Sequence, residues 1–122
     1  MKILIAEDDS LMAALIEANL KSEGYEVIVT TDGREALKKF ETENPDLIIT
    51  DILMPFTSGL ELIGIVKSNY EKKTPIIVLS GMGQEAIVME AFELGADDFL
   101  TKPFNPIELS MRVKRFAVKK KK

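Results

Sequence analysis

Leu47-Ile48-Ile49-Thr50-Asp51 decides the fold. Asn44-Pro45 breaks the segment before it, and the run itself is short, apolar and closed by a carboxylate. That pattern reads as a strand buried on both faces, as in a parallel sheet. Working outward, four more apolar runs end in a group that could hold a phosphate or a metal ion: Ile5-Ala6-Glu7-Asp8-Asp9, Val78-Leu79-Ser80-Gly81, Phe99-Leu100-Thr101-Lys102-Pro103 and, more weakly, Val29-Thr30-Thr31-Asp32. The expected strands are 2–6, 25–30, 47–51, 75–80 and 98–101. Helical patterns lie between them. Ser10 is expected to cap a helix whose apolar stripe is Leu11, Leu15, Ile16 and Leu20, ended by Gly24. Asp32-Gly33 turns into a helix bearing Ala36, Leu37 and Phe40. Ser58 opens one with Leu62, Ile63 and Val66. The spacing predicts a fourth over 84–94, ended by Gly95, and a last one from Pro106 bearing Ile107, Leu109, Val113 and Phe116.

Alternation of strand and helix with short connections calls for an α/β fold, (βα)5, a doubly wound five-stranded parallel sheet. The pattern does not itself give strand order. The flavodoxin-like order 2-1-3-4-5 is preferred because it sets Glu7-Asp8 beside Asp51 at the switch point, where ligands bind outside the carboxyl ends of strands. Glu7, Asp8, Asp51, Ser80 and Lys102 then meet in one crevice. Three carboxylates, a hydroxyl and an ammonium suit Mg²⁺-dependent phosphoryl transfer, which is mostly positioning and charge neutralisation. The plainer reading is that strand-end acids cap the next helix. That reading is taken for Asp9, and Asp32 is read as turn chemistry.

Composition narrows the classes. The 122 residues make one domain, 46% apolar and 30% charged. There is no Cys and no His, which excludes disulfides, thiolate metal sites and an imidazole base or carrier within the chain. No apolar run nears the ~20 residues of a membrane span, so no membrane role is expected and the localisation is read as cytoplasmic. Net charge is −4, but residues 111–122 carry seven Lys or Arg and no acid. This basic end, with Lys119 to Lys122 as a tail, is read as a solvated helix terminus that complements the helix dipole, and no direct nucleic-acid binding is expected.

Four motifs in order carry a resemblance to a known family. They are Ile3-Leu4-Ile5-Ala6-Glu7-Asp8-Asp9, Asp51-Ile52-Leu53-Met54-Pro55 followed by Gly59, Ser80-Gly81, and Gly95-Ala96-Asp97-Asp98-Phe99-Leu100-Thr101-Lys102-Pro103-Phe104. Together they resemble the receiver domain of bacterial two-component response regulators, here over residues 1–118, with 119–122 as tail and no output domain expected. The resemblance implies that Asp51 is the phospho-acceptor and that Asp8, Asp51, the Leu53 carbonyl and, through water, Glu7 hold Mg²⁺. It also implies that Ser80 and Lys102 contact the phosphoryl oxygens. Pro55 and Gly59 would shape the loop after the acceptor, Gly81 would keep the site open, and Lys102-Pro103 would be a cis-proline corner. The implied donor is a sensor histidine kinase or a histidine phosphotransfer protein.

Ser80 and Phe99 match the family's switch pair, usually Thr and Tyr. Phosphorylation would draw Ser80 inward and let Phe99 turn from outside to inside. That would reshape the face made by the fourth helix, fifth strand and last helix, where an unidentified downstream protein binds a monomer or a phosphorylation-dependent dimer. The fourth helix is unusually apolar, with Val88 where dimerising relatives carry a basic residue, while Glu108 and Arg112 keep matching charges on the last helix. Ile87 and Val88 are expected to belong to a partner surface. Leu53 and Met82 occupy the positions that tune water attack in the family. Both are apolar, so slow self-dephosphorylation is expected. The chain is not expected to be a conventional enzyme: an Asp-nucleophile phosphatase would place a second acid where Leu53 stands. A pseudo-receiver that takes no phosphate is the alternative, and retention of all five site residues argues against it.

Overall fold

The computed structural model describes residues 1–54, 58–68 and 73–120. Pro55, expected to shape the loop after Asp51, lies outside the described residues, as do Lys121 and Lys122. The elements alternate without exception: β1 Lys2–Ala6, α1 Ser10–Ser22, β2 Glu26–Thr30, α2 Gly33–Glu43, β3 Leu47–Asp51, α3 Gly59–Lys67, β4 Ile76–Ser80, α4 Glu85–Leu94, β5 Asp98–Thr101 and α5 Pro106–Lys120. All strand pairs are parallel, in the order β2-β1-β3-β4-β5. The expected fold and strand order are therefore those observed.

Alternation along each strand sends side chains to two cores. Leu4, Ala6, Ile48, Ile76 and Val78 pack under Phe40 of α2, Leu62, Ile63 and Val66 of α3, and Val88 and Ala91 of α4. Ile3, Ile5, Leu47, Ile49, Ile77, Leu79 and Leu100 pack against Ile16 and Leu20 of α1 and Leu109, Val113 and Phe116 of α5. Each fully buried Leu or Ile contributes roughly 1.5–3 kcal/mol of transfer free energy, and burial on both faces explains why β1, β3 and β4 read as unbroken apolar runs.

The helix faces depart from expectation in particular places. Of the two residues read as caps of α1, Asp9 holds the position and Ser10 does not: the Asp9 carboxylate accepts from the N–H groups of Leu11 and Met12. Ser10 becomes the first helical residue, because a carboxylate one position earlier satisfies two free donors at once. Leu11, 70% exposed, and Leu15 lie outside the core, whose α1 contacts are Ala13, Ile16 and Leu20. Ile107 is 72% exposed, because the face of α5 that meets the sheet is set by Leu109, Val113 and Phe116. β2 and β4 begin one residue later than expected, and α4 begins at Glu85 with Gln84 at its cap position. Val88 is buried and Ile87 packs partly on the same core. The outward apolar residues of α4 are Met89, Phe92 and Leu94. The expected partner surface at Val88 is thereby corrected, since that side chain is committed to the interior. The tail is also redrawn: α5 continues through Lys119 and Lys120.

Candidate functional site

Four strand ends and the turns after them build the site. β1 delivers Glu7, Asp8 and Asp9 in sequence. Glu7 is fully buried, Asp8 is exposed, and Asp9 turns away to cap α1. The Asp9 N–H donates to Glu7 Oε2 at 3.1 Å, so the cap residue's backbone also holds the buried carboxylate. β3 delivers Asp51, part-buried, with the Leu53 N–H donating to its Oδ1 at 3.4 Å. Carboxylate oxygens of Glu7, Asp8 and Asp51 lie within 4.8 Å of one another. An all-oxygen donor set suits a hard divalent cation such as Mg²⁺, which keeps several of its waters when bound.

The turn after β5 supplies the cation. Lys102 Nζ lies 2.6 Å from Glu7 Oε1 and 3.0 Å from Asp51 Oδ2, bridging the two carboxylates. Its own N–H donates to the Ser80 carbonyl at 2.7 Å, which fixes where the side chain starts. The Lys102-Pro103 peptide is cis. Burial pushes Glu7 up to about 7, with the Asp51 charge adding to the rise and the Lys102 and Asp9 hydrogen bonds opposing it. Burial disfavours the Lys102 ammonium, but its bonds to Glu7 and Asp51 prevail and raise its pKa. The ammonium is therefore the stable form, clamped between acids that would otherwise repel each other.

Ser80 ends β4 and is buried. On the sheet it sits one rung past the Asp51–Leu79 pair and opposite Thr101. The helix after Asp51 depends on Gly59. A Cβ there would overlap the carbonyl oxygen of Asp51 and the Cα of Ile52, so no other residue lets α3 begin this close to the site. A Ser58–Glu61 capping box closes the same end. Gly81 is different: a Cβ there would meet only the Gln84 side chain, at 3.6 Å, an ordinary contact.

Phe99 alternates outward from β5, 36% exposed, and lies edge-on to Phe92 with ring centroids 5.8 Å apart. The pair borders a mostly apolar cleft of about 390 Å³ that reaches Ser80 and is also lined by Met82, Glu85 and Met89. On α5, Arg112 and Arg115 both reach back to the buried Asp98, at 2.8 and 2.9 Å, and Arg112 also meets Glu108 at 3.5 Å. Asp98, Glu108, Arg112 and Arg115 are thus paired within the chain.

The site residues Glu7, Asp8, Asp51, Ser80 and Lys102 share one end of the sheet, as the sequence pattern required. Two residues were not legible from sequence. Gln84, whose side chain accepts from the Gly81 N–H, looks like any polar residue opening a helix. Asp98 gave no signal of its double pairing, because Arg112 and Arg115 are far along the chain.

Comparison with known proteins agrees with this geometry. The family model described as the response regulator receiver domain matches residues 3–114. Over 115 residues the chain is 44% identical to the alkaline phosphatase synthesis transcriptional regulatory protein PhoP of Bacillus subtilis (strain 168), covering 93% of this chain and 47% of that protein. The chain therefore spans about half the length of that curated relative. Among solved structures, the Francisella response regulator 1452 receiver domain superposes with a TM-score of 0.89 at 35% identity, covering 98% of each chain. The chemotaxis response regulator CheY4 of Vibrio cholerae gives 0.86 at 35% identity, covering 94% of this chain and 97% of that one. With its strand order, its clustered carboxylates and its bridging lysine, this chain belongs to the response regulator receiver domain family.

Proposed function

We propose that this receiver domain is a phosphorylation switch that accepts a phosphoryl group on Asp51 from a phosphohistidine. With no His of its own, the chain takes the group from another protein, a sensor histidine kinase or a histidine phosphotransfer protein. An Asp51 carboxylate oxygen attacks phosphorus. The phosphorus–nitrogen bond breaks, and its electron pair leaves on the imidazole nitrogen. The product is an acyl phosphate, which water later hydrolyses to inorganic phosphate and the free carboxylate. Mg²⁺, held by Asp8, Asp51, the Leu53 carbonyl and through water by Glu7, would supply charge neutralisation at the phosphoryl oxygens. Lys102 adds a fixed positive charge at Asp51, and the Ser80 hydroxyl donates to a phosphoryl oxygen. The chain promotes its own phosphorylation and its decay but turns over no external substrate.

The observation that carries this reading is the Lys102 bridge from Glu7 to Asp51, at 2.6 and 3.0 Å, beside the Asp8 carboxylate. Departure of Ser80 toward the phosphoryl group opens the cleft to the Phe99 ring, and the α4–β5–α5 face changes shape for a downstream partner. Among the described residues no helix is long and apolar enough to cross a membrane, which agrees with a cytoplasmic role. Intact mass after incubation with acetyl phosphate tests the acceptor. A Mg²⁺-dependent gain of one phosphoryl group, absent in Asp51→Asn, is expected. No gain with any small donor or purified phosphohistidine protein would favour a pseudo-receiver.

A further inference from the structure

Beyond this reading, and resting on it, the end of strand β4 points to a control on the acceptor. In the β3–β4 ladder, Ile48 N–H donates to Pro75 and Ile52 N–H to the Leu79 carbonyl, at 3.0 and 2.9 Å. By that alternation the next rung would run from the Gly81 N–H to the Ile52 carbonyl. That carbonyl instead receives the Gly59 N–H at 3.1 Å, where α3 begins. The Ser80–Gly81 peptide is planar and trans, so its carbonyl and N–H point opposite ways. The carbonyl faces β5, where it accepts from Lys102 N–H. The Gly81 N–H therefore faces the β3 side, where Asp51 ends its strand. It is a donor released by the end of the ladder, one residue past Ser80. Its acceptor is the Gln84 side chain, with Oε1 at 2.5 Å. Gln84 sits at the cap position of α4 yet makes no capping bond with its side chain. The amide oxygen is engaged at Gly81 instead.

We propose that Gln84 is a positioning residue that acts as an internal latch: its amide oxygen occupies the Gly81 N–H in the unphosphorylated state and competes with a phosphoryl oxygen on Asp51 for that donor. Phosphorylation displaces Gln84. Because Gln84 is the residue on which α4 starts, its release couples occupancy of Asp51 to the first turn of α4. The latch sets a threshold, since each phosphorylation event must break one formed hydrogen bond.

The test uses Mg²⁺ with beryllium fluoride, a phosphoryl mimic for Asp carboxylates, titrated against the whole chain and followed by the Gly81 amide resonance in ¹H–¹⁵N spectra. Removing one neutral competitor in Gln84→Ala is expected to tighten binding about two- to ten-fold. Before any ligand is added, it should also move the Gly81 amide proton upfield. Gln84→Glu keeps an acceptor and adds a negative charge, so it should weaken binding below wild type. A merely structural role would weaken both variants. Binding by Gln84→Ala that is equal to or weaker than wild type overturns the latch. If the wild type takes no beryllium fluoride, the acceptor reading fails and the latch with it.

Discussion

Glu7 is the residue at which fold and chemistry conflict most. It is fully buried, and burial raises its pKa from 4.5 to about 7. A carboxyl raised on folding stabilises the fold below its unfolded pKa, and that contribution is lost as pH rises through the folded value. Without metal, the wild type should therefore lose stability relative to Glu7→Gln between about pH 4.5 and 7, by at most about 3 kcal/mol. Denaturant melts of both proteins across that window measure it; a constant difference would contradict the raised pKa. Leu53 and Met82 make the opposite kind of statement. Both are exposed beside the site, and neither can orient water, so Leu53→Asn or Met82→Glu should shorten the life of the acyl phosphate severalfold, measured by loss of bound phosphoryl in the intact mass. The identities of the acids, hydroxyl and lysine were legible because strand ends in a parallel sheet must converge. Gln84 was not, because its role depends on a rung missing from a ladder.

At the scale of elements, the close approach of α3 to β3 is decisive. Gly59 sits where a Cβ would overlap the Asp51 carbonyl and Ile52 Cα, both backbone atoms that cannot swing aside. Gly59→Ala should therefore cost about 1–3 kcal/mol by overpacking. It should also disturb Asp51, the proposed acceptor, because the overlapped carbonyl oxygen is its own. Thermal melts and the rate of phosphorylation by acetyl phosphate check both effects, and a fully stable, fully active variant would show that α3 can shift freely. The strands were legible to within a residue because burial on both faces leaves an unbroken apolar signature. The helix faces were less so. Apolar residues spaced three and four apart mark a stripe, but not how much of it the sheet covers: Leu11, Leu15 and Ile107 continue such stripes into solvent. On α4 the excess of apolar residues was visible, but which side was interior depended on packing, and Val88 went in while Met89 and Phe92 went out.

At the scale of the whole molecule, the site and the α4–β5–α5 face are joined by the cleft between Ser80 and the aromatic pair. The edge-to-face contact of Phe92 with Phe99, 5.8 Å between centroids, holds Phe99 on the outside. Such a pair contributes about 0.5–1.5 kcal/mol beyond buried area, enough to bias a two-state equilibrium roughly two- to ten-fold. If the inward state of Phe99 is the one that favours an occupied Asp51, coupling must be reciprocal. Whatever weakens the outward state should then tighten occupancy. Phe92→Ala removes the ring that holds Phe99 out while leaving Glu7, Asp8, Asp51, Ser80 and Lys102 untouched. It should bind beryllium fluoride more tightly than wild type by about that factor, and contacts from the Phe99 ring to Ser80 should appear in NOE spectra before ligand is added. Unchanged affinity together with an outward Phe99 in the occupied state would mean that the ring is a passive part of the surface. In that case the signal would have to leave through the start of α4, where Gln84 stands.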